Sequence, residues 1–268
     1  MASATIGVFD SGVGGLSVLH HIRRTQPYAR LIYVADSAHV PYGDKPAAYI
    51  EQRSHALTRF LISQGADALV IACNTATAAA AASLRAQFSL PIIGMEPAVK
   101  PAVAVSKSGV LGVLATVGTL ESARFAALLE RYGNEVKIIT QGCPGLVEQV
   151  ERGDLSSDKT RDLIARYTQP LLAQGADTLI LGCTHYPFLA ALIREVVGSK
   201  ITLVDTGAAV ARQLQRRLHS ELGSTTSATE RAGQVQLYSS GNLAHARPTL
   251  AALWPEPLDL QPLPSEYC

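Results

Sequence analysis

Residues 64–75 read Gln64-Gly-Ala-Asp-Ala-Leu-Val-Ile-Ala-Cys73-Asn-Thr75, and the stretch returns as Gln174-Gly-Ala-Asp-Thr-Leu-Ile-Leu-Gly-Cys183-Thr-His185. In each copy a Gly-Ala-Asp turn precedes a short apolar run, and a cysteine ends that run. Any two α/β units could share such a turn. The turn does not explain a cysteine at the same strand end 110 positions later. We therefore interpret the repeat as a duplication.

A weaker echo supports the duplication, since Gly7-Val-Phe-Asp-Ser11 is similar to Gly112-Val-Leu-Ala-Thr116. Around these copies, near-continuous apolar runs alternate with helix-like stretches, a pattern typical of parallel sheets covered on both faces. The predicted strands are Thr5–Phe9, Leu31–Ala35, Ala68–Ala72, Pro91–Gly94, Val110–Ala115, Val136–Thr140, Thr178–Leu181 and Ile201–Val204. The predicted helices include Leu16–Arg24, Ala47–Gln64, Leu120–Tyr132 and Leu163–Gln174.

The fold class predicted from this pattern is α/β. We expect two similar lobes, each a mostly parallel sheet flanked by helices, related by pseudo-twofold symmetry. Residues 1–97 and 207–268 should form the first lobe, and residues 98–206 the second. Ligands of open α/β sheets bind beyond the carboxyl ends of the strands, so the active site should lie in the cleft between the lobes. The first lobe would bring Asp10 and Cys73 to it, and the second Cys183 and His185.

Composition indicates a well-buried globular protein. The chain has 268 residues, 47% of them hydrophobic and 17% charged, which suits two ordinary domains and not disorder. A net charge of +1 without a basic stripe argues against nucleic-acid binding. The most apolar stretch, residues 66–82, is interrupted by polar residues, which argues against a membrane span. Pro and Ser are frequent in Pro255–Cys268, which we predict to be a surface tail.

The first residues carry no signal-peptide pattern, so we expect a cytoplasmic protein with reduced thiols. Two matched thiols suit the inversion of a chiral carbon, because one group removes the Cα proton and the other delivers a proton to the opposite face. A thiol has a reference pKa of about 8.5, so both of its forms are accessible near neutral pH. Cys73 precedes an alanine-rich helix, whose dipole should favour the thiolate. A lone cysteine there would more simply be a packing residue. Cys143 and Cys268 lack a match, and we expect the first to be structural and the second incidental.

The glycine-rich stretch Asp10-Ser-Gly-Val-Gly-Gly15 follows the first strand and predicts a tight turn with N–H groups suited to an anion. It resembles a dinucleotide fingerprint, since Asp36 follows the next strand. However, Ser17 stands in place of the third glycine, and Asp10 would set a carboxylate beside a pyrophosphate. Asp10 fits better beside a substrate ammonium group, or as the proton partner of a thiol.

Two further features leave alternatives open. Pro41-Tyr42-Gly43 is either a plain turn or a ligand contact. His185 could be a structural residue or a proton carrier for Cys183. Cys183 and His185 could also form a metal site with Cys73, although no Cys-x-x-Cys or His-x-x-x-His spacing supports it.

Four motifs, taken in order and spacing, make the chain resemble the glutamate racemase family of the aspartate/glutamate racemase superfamily. They are Asp10-Ser-Gly-Val-Gly-Gly15, Pro41-Tyr-Gly43, Cys73-Asn-Thr75 and Gly182-Cys-Thr-His-Tyr-Pro187. The resemblance runs from Ile6 to about Leu218, and more loosely through Tyr238-Ser-Ser-Gly241.

The resemblance implies that Cys73 addresses the proton of D-glutamate, assisted by Asp10, and that Cys183 addresses that of L-glutamate, assisted by His185. Glu151 matches a family carboxylate near the cleft and is an auxiliary candidate. No cofactor or metal is implied. Family members are usually homodimers that supply D-glutamate for peptidoglycan, with no nucleic-acid or membrane partner. The implied substrate contacts are Asp10, Ser11, Tyr42, Gly43, Asn74, Thr75, Thr184 and His185.

Three other functions stay open on the sequence alone. A related racemase for aspartate or a hydantoin is the nearest. A hydrolase could use Cys183 as nucleophile and His185 as base. A two-lobed solute-binding protein is disfavoured because no signal-peptide pattern is present.

Overall fold

The computed structural model describes residues 4–223, 232–257 and 259–268. Its strands are β1 (Thr5–Asp10), β2 (Arg30–Ala35), β3 (Ala68–Ile71), β4 (Ile92–Ile93), β5 (Val110–Ala115), β6 (Lys137–Gly142), β7 (Thr178–Leu181), β8 (Thr202–Val204), β9 (Val235–Ser239) and β10 (Leu260–Pro262). Its helices are α1 (Leu16–Thr25), α2 (Ala47–Ser63), α3 (Asn74–Gln87), α4 (Val99–Val105), α5 (Val117–Leu120), α6 (Ala123–Tyr132), α7 (Leu146–Glu151), α8 (Asp158–Ala173), α9 (Ala190–Val197), α10 (Gly207–Leu222) and α11 (Leu243–Leu253).

The strands form two sheets in which every described pairing is parallel. One sheet has the order β10-β9-β2-β1-β3-β4, and the other has the order β6-β5-β7-β8. Helices flank both, so the predicted fold class is confirmed. The two repeat copies occupy matching places, since β3 lies beside central β1 and β7 lies beside central β5.

The repeated Gly-Ala-Asp turns have the same conformation and the same kind of hydrogen bonding in both lobes. Gly65 and Gly175 follow α2 and α8 with φ of +80° and +89°, a conformation that glycine adopts without steric cost. The aspartate two residues later then holds the segment leading into the central strand. Asp67 accepts a hydrogen bond from the Thr5 N–H at 2.8 Å. Asp177 accepts the Lys107 and Ser108 N–H groups, each at 2.7 Å.

The prediction of a surface tail after Pro255 is wrong. Residues 260–262 form β10, which pairs in parallel with β9 and places Leu260 opposite Leu237. Leu260 and Leu263 are only 8% and 4% exposed. β10 is the edge strand of its sheet, a position that tolerates Pro262, which lacks an N–H. The proline-rich composition therefore concealed a short edge strand.

Two helices differ in their limits from the sequence expectation because serine side chains cap them. Ser122 accepts the Phe125 N–H at 3.1 Å and starts α6 at Ala123, so the helix predicted from Leu120 begins later, and Leu120 itself ends the separate helix α5. Ser157 accepts the Thr160 N–H at 3.2 Å and starts α8 five residues before the predicted limit. Within the described ranges, no helix is long and apolar enough to cross a membrane.

Candidate active site

Cys73 and Cys183 line one cleft from opposite lobes. Cys73 caps α3 beyond β3, and its Sγ accepts the Ala76 N–H at 3.5 Å. Cys183 stands two residues beyond the end of β7. About 280 Å³ of space not filled by atoms lies in the cleft, part of it open to solvent. It is lined by Ser11, Pro41, Tyr42, Gly43, Cys73, Asn74, Thr75, Thr116, Thr119, Val147, Gly182, Cys183, Thr184 and His185.

Asp10 lies beside Cys73 because β1 and β3 end together, with the Ala72 N–H bonded to the Phe9 carbonyl at 2.8 Å. The Asp10 carboxylate accepts the backbone N–H groups of Ser11 at 2.6 Å and Gly15 at 2.5 Å. The glycine-rich turn thus directs these donors at a carboxylate of the protein itself. Burial raises the pKa of Asp10 above its ordinary value, although the neighbouring His185 and Cys73 act in the opposite direction.

The helix dipole does not ionise Cys73 in the free protein, contrary to the sequence expectation. Burial and the neighbouring Asp10 charge raise the pKa of the Cys73 thiol well above its usual range, and the opposing hydrogen bond from Ala76 does not reverse this. Cys73 therefore rests as a thiol. It can deliver a proton without a preceding ionisation step.

Cys183 has a different partner set. His185 Nδ1 lies 3.7 Å from Cys183 Sγ, and His185 Nε2 lies 2.6 Å from Glu151 Oε1. The Glu151 oxygen accepts this bond, so His185 Nε2 carries a proton toward Glu151. Burial lowers the pKa of His185, but its hydrogen bonds to Cys183 and Glu151 outweigh burial and raise it well above its ordinary value. The protonated ring is therefore favoured, and its Nδ1 proton faces the Cys183 sulfur.

Glu151 also joins the two lobes. Its Oε1 accepts the Val13 N–H of the glycine-rich turn at 2.8 Å. At Gly12 and Gly14, side chains of the second lobe come so close to the turn that a Cβ would collide with them. A Cβ on Gly12 would lie 1.9 Å from Glu151 Oε1, and a Cβ on Gly14 would lie 2.3 Å from His185 Nδ1. The glycines that suggested a dinucleotide fingerprint thus make room for the partners of Cys183.

Asn74 and Thr75 follow Cys73 into the cleft. Asn74 is 5% exposed, and both polar atoms of its amide lack a hydrogen-bond partner among the described residues. Leaving a buried amide unpaired is costly, so Asn74 is suited to a ligand with a charged head group. Thr75 Oγ1 lies 2.9 Å from Thr116 Oγ1 and 3.1 Å from Thr119 Oγ1, a hydroxyl cluster that links the lobes.

The 41–43 loop lines the cleft without offering the Tyr42 hydroxyl to it. That hydroxyl donates to Asp36 Oδ2 at 2.5 Å. Asp36 is also held by Arg53, through Nε at 2.9 Å and Nη2 at 2.8 Å. Gly43 packs against Thr116, where an added Cβ would lie 2.8 Å from the threonine Cβ. Tyr42 and Gly43 therefore face the cleft through ring and backbone.

All eleven predicted site residues lie in or beside this cleft. Asp10 and Glu151 stand behind its lining, and the others line it. Sequence reasoning missed Thr116, Thr119 and Val147, although Thr116 was already marked as the counterpart of Ser11 in the weaker echo. Cys143 is buried, burial raises its pKa to about 12, and its Sγ donates to the Gln141 carbonyl at 3.3 Å. Cys268 is exposed. In the part of the chain that the structure describes, no group of three His, Cys, Asp or Glu side chains could hold a metal ion.

Known proteins share this architecture over nearly the whole chain. A family model described as Asp/Glu/Hydantoin racemase matches residues 6–214. The chain is 59% identical to a glutamate racemase of Methylococcus capsulatus, over 98% of this chain and 96% of the relative. It is 58% identical to one of Pseudomonas aeruginosa, over 85% and 88%.

Solved structures agree with this result. Glutamate racemase isoform RacE1 of Bacillus anthracis matches with a TM-score of 0.89 at 29% identity, covering 99% of each chain. Escherichia coli glutamate racemase, solved with L-glutamate and the activator UDP-MurNAc-ala, matches with a TM-score of 0.86 at 33% identity, covering 97% of each chain. The chain therefore belongs to the Asp/Glu/hydantoin racemase family, and within it stands with the glutamate racemases.

Proposed function

We propose that this protein interconverts L- and D-glutamate without a cofactor, using Cys73 and Cys183 as its acid and base. One observation carries the proposal. Two thiols face one cleft from two lobes, and each has its own proton partner, Asp10 for Cys73 and His185 for Cys183. The high identity to curated glutamate racemases supports glutamate as the substrate.

The proposed reaction has two proton transfers. In the L-to-D direction, the Cys183 thiolate removes the Cα proton and Cys73 delivers its thiol proton to the opposite face. In the D-to-L direction the roles reverse. The raised pKa of the Cys73 thiol keeps a proton available on that side, and the Glu151–His185 pair stabilises positive charge beside Cys183.

Substrate binding is proposed to use the unpaired amide of Asn74 and the hydroxyl groups at the cleft wall. Asn74 offers both a donor and an acceptor, so it can meet a carboxylate or an ammonium group. Asp10 supplies the buried negative charge nearest Cys73. The remaining proposed contacts are Ser11, Tyr42, Gly43, Thr75, Thr184 and His185.

The test is a chiral assay of the purified protein after exhaustive dialysis against a chelator. L-glutamate should decay to a racemic mixture, and D-glutamate should do the same. Aspartate should give a kcat/KM at least about 10- to 200-fold lower, since one methylene changes discrimination by that much before the unpaired donors are counted. Comparable rates for aspartate would reassign the substrate. Activity abolished by metal removal would refute cofactor independence.

A second candidate function is favoured by one contact. Cys183, His185 and Glu151 form a hydrogen-bonded series that a cysteine hydrolase could also use. The same assay separates the two, because hydrolysis of an amide such as glutamine releases ammonia and leaves the configuration at Cα unchanged.

We further propose that the protein works in the cytoplasm as a homodimer and supplies D-glutamate for peptidoglycan, as the family resemblance implies. Expression in a bacterium that requires added D-glutamate should restore growth without it. Sedimentation of the purified protein should give twice the chain mass of 28.4 kDa.

A further inference from the structure

A two-thiol racemase ends each turnover in a different protonation state from the one in which it began. In the L-to-D direction, Cys183 gains a proton and Cys73 loses one. A second turnover in the same direction needs the proton back on Cys73. Between turnovers, therefore, one proton has to move from the Cys183 side of the cleft to the Cys73 side.

The structure contains a continuous polar path between the two thiols. His185 Nδ1 lies 3.7 Å from Cys183 Sγ and 3.5 Å from Thr184 Oγ1. Thr184 Oγ1 donates to Asp10 Oδ2 at 3.1 Å. Asp10 in turn lies beside Cys73 at the shared ends of β1 and β3, and its charge acts on the Cys73 thiol. One hydroxyl from the second lobe thus joins the partner of one thiol to the partner of the other.

The path is shielded from solvent and fixed in place. Asp10, Thr184 and His185 are 0%, 3% and 1% exposed. The Thr184 backbone is held from the first lobe, because its carbonyl accepts the Ser17 hydroxyl at 2.8 Å. Contacts of this length are usual for proton-transfer groups in a ligand-free site and shorten when the site closes. Direct transfer along the path is therefore favoured over exchange with bulk water at these groups.

We propose that the Thr184 hydroxyl is a proton relay that resets the two thiols between turnovers. The inference rests on the proposed racemase function. In one reset after L-to-D turnover, the proton on His185 Nδ1 passes to Thr184 Oγ1 while the Thr184 proton passes to Asp10, and Asp10 protonates the Cys73 thiolate. The Cys183 thiol then gives its proton to His185 Nδ1. One proton moves in total, and His185, Thr184 and Asp10 end as they began.

A tracer-perturbation experiment tests the relay. Radiolabelled L- and D-glutamate are first brought to equilibrium by the enzyme, and excess unlabelled L-glutamate is then added. If the reset is slow, the flow of unlabelled L-glutamate accumulates the enzyme form that accepts D-glutamate. Label is then carried transiently from D- to L-glutamate. If the reset is fast, no such counterflow of label appears.

Thr184→Val keeps the side-chain shape and removes the hydroxyl, and Thr184→Ser keeps the hydroxyl. We expect Thr184→Val to slow the reset by about 10²-fold or more, the lower end of what a positioned proton-transfer group contributes. Strong counterflow should result, while Thr184→Ser should show no more counterflow than the parent enzyme. Thr184→Ala is a second variant without the hydroxyl and should also give counterflow.

Damage to the site alone lowers turnover of labelled and unlabelled glutamate equally and produces no counterflow. Absence of counterflow in both Thr184→Val and Thr184→Ala would therefore overturn the relay and assign the reset to solvent. Counterflow of equal size in Thr184→Ser and Thr184→Val would also overturn it. Failure of the parent enzyme to racemise glutamate is a separate result, which refutes the proposed function itself.

Discussion

Asp10 and Cys73 meet at the ends of two neighbouring strands, where the carboxylate charge adds to burial in raising the thiol pKa. Removing that charge should lower the pKa. Asp10→Asn should therefore shift the pH profile for alkylation of Cys73 toward lower pH. Because the chain has four cysteines, alkylation of Cys73 is followed by peptide mass spectrometry. Racemisation should fall by about 10²–10⁴-fold, since Asn cannot exchange a proton with the thiol.

Asp177→Asn is the control for this measurement, because Asp177 lies at the far end of β7 from the cleft. It should leave the alkylation profile of Cys73 unchanged. A profile that moves to higher pH in Asp10→Asn would contradict the assignment of Asp10 as a charge that raises the thiol pKa.

The two thiols should be separable by substitution. Cys73→Ala and Cys183→Ala should each abolish racemisation in both directions, because the acid of one direction is the base of the other. In heavy water, Cys73→Ala should still exchange the Cα hydrogen of L-glutamate slowly with retention of configuration, and Cys183→Ala that of D-glutamate. In each variant, NMR measures the exchange as the loss of the Cα proton signal of the glutamate enantiomer supplied. Substantial racemisation by either variant would mean that one base suffices.

At the scale of elements, the glycine-rich turn between β1 and α1 acts through the space it leaves. Gly14→Ala would force the His185 ring to move, since the new Cβ would lie 2.3 Å from Nδ1. A misplacement of about 1 Å in a catalytic group costs roughly 10²-fold in rate. We expect kcat to fall by about that factor in both directions, with the unfolding free energy changed much less than the rate.

Gly109→Ala is a useful comparison for Gly14→Ala. Nothing lies within 4 Å of its added Cβ, but its φ of +68° strains any side chain there. It should lower stability with little effect on kcat. A large fall in kcat for Gly109→Ala, together with a loss of stability but no fall in kcat for Gly14→Ala, would contradict the role given to the turn.

The Gly-Ala-Asp turns allow a matched test of stability. Burial raises the pKa of Asp177, but hydrogen bonds from Ser106, Ser108, Lys107 and Thr178 outweigh burial and hold the pKa well below its usual range. Asp177→Asn should lower the unfolding free energy at pH 7 by about 1–3 kcal/mol, discounted for partial exposure. Asp67→Asn, at the matching but exposed position with one such bond, should cost less.

The difference in unfolding free energy between the parent protein and Asp177→Asn should depend on pH in one direction. Because the folded pKa of Asp177 is depressed, its contribution is present above the unfolded value of about 3.9 and is lost as pH falls through the folded pKa. The difference in unfolding free energy between the parent protein and Asp177→Asn, measured by urea unfolding, should therefore become smaller below about pH 4. A gap that widens on acidification would contradict the assignment.

Elements marked by a strong local signal were predictable from the sequence, and elements defined by tertiary pairing were not. The repeat located β3, β7 and both cysteines because a turn, an apolar run and a thiol coincide. β9 and β10 are short strands whose pairing at the outer part of the first sheet has no periodic signature. The Arg53–Asp36–Tyr42 group was also missed, since its members come from three elements that meet only in the fold.

At the scale of the whole molecule, the lobes match in backbone and differ in chemistry. Asp10 corresponds to Ala115 in the weaker echo, so Cys183 has no strand-end carboxylate like that of Cys73. His185, at the position corresponding to Thr75, supplies its proton partner, with Glu151 behind it. A duplicated scaffold thus places two thiols symmetrically, while different neighbours set their proton affinities.

The central claim is that separate groups serve the two faces of the Cα carbon. The most direct measurement is the isotopic content of the D-glutamate formed from protiated L-glutamate in a single turnover by excess enzyme that has been equilibrated in heavy water, read by mass spectrometry. We predict that this D-glutamate carries deuterium at Cα, delivered by solvent-equilibrated Cys73, while the remaining L-glutamate keeps its protium. First-formed D-glutamate that retains the substrate protium would show that a single group removes and returns the hydrogen, and would contradict the two-thiol account.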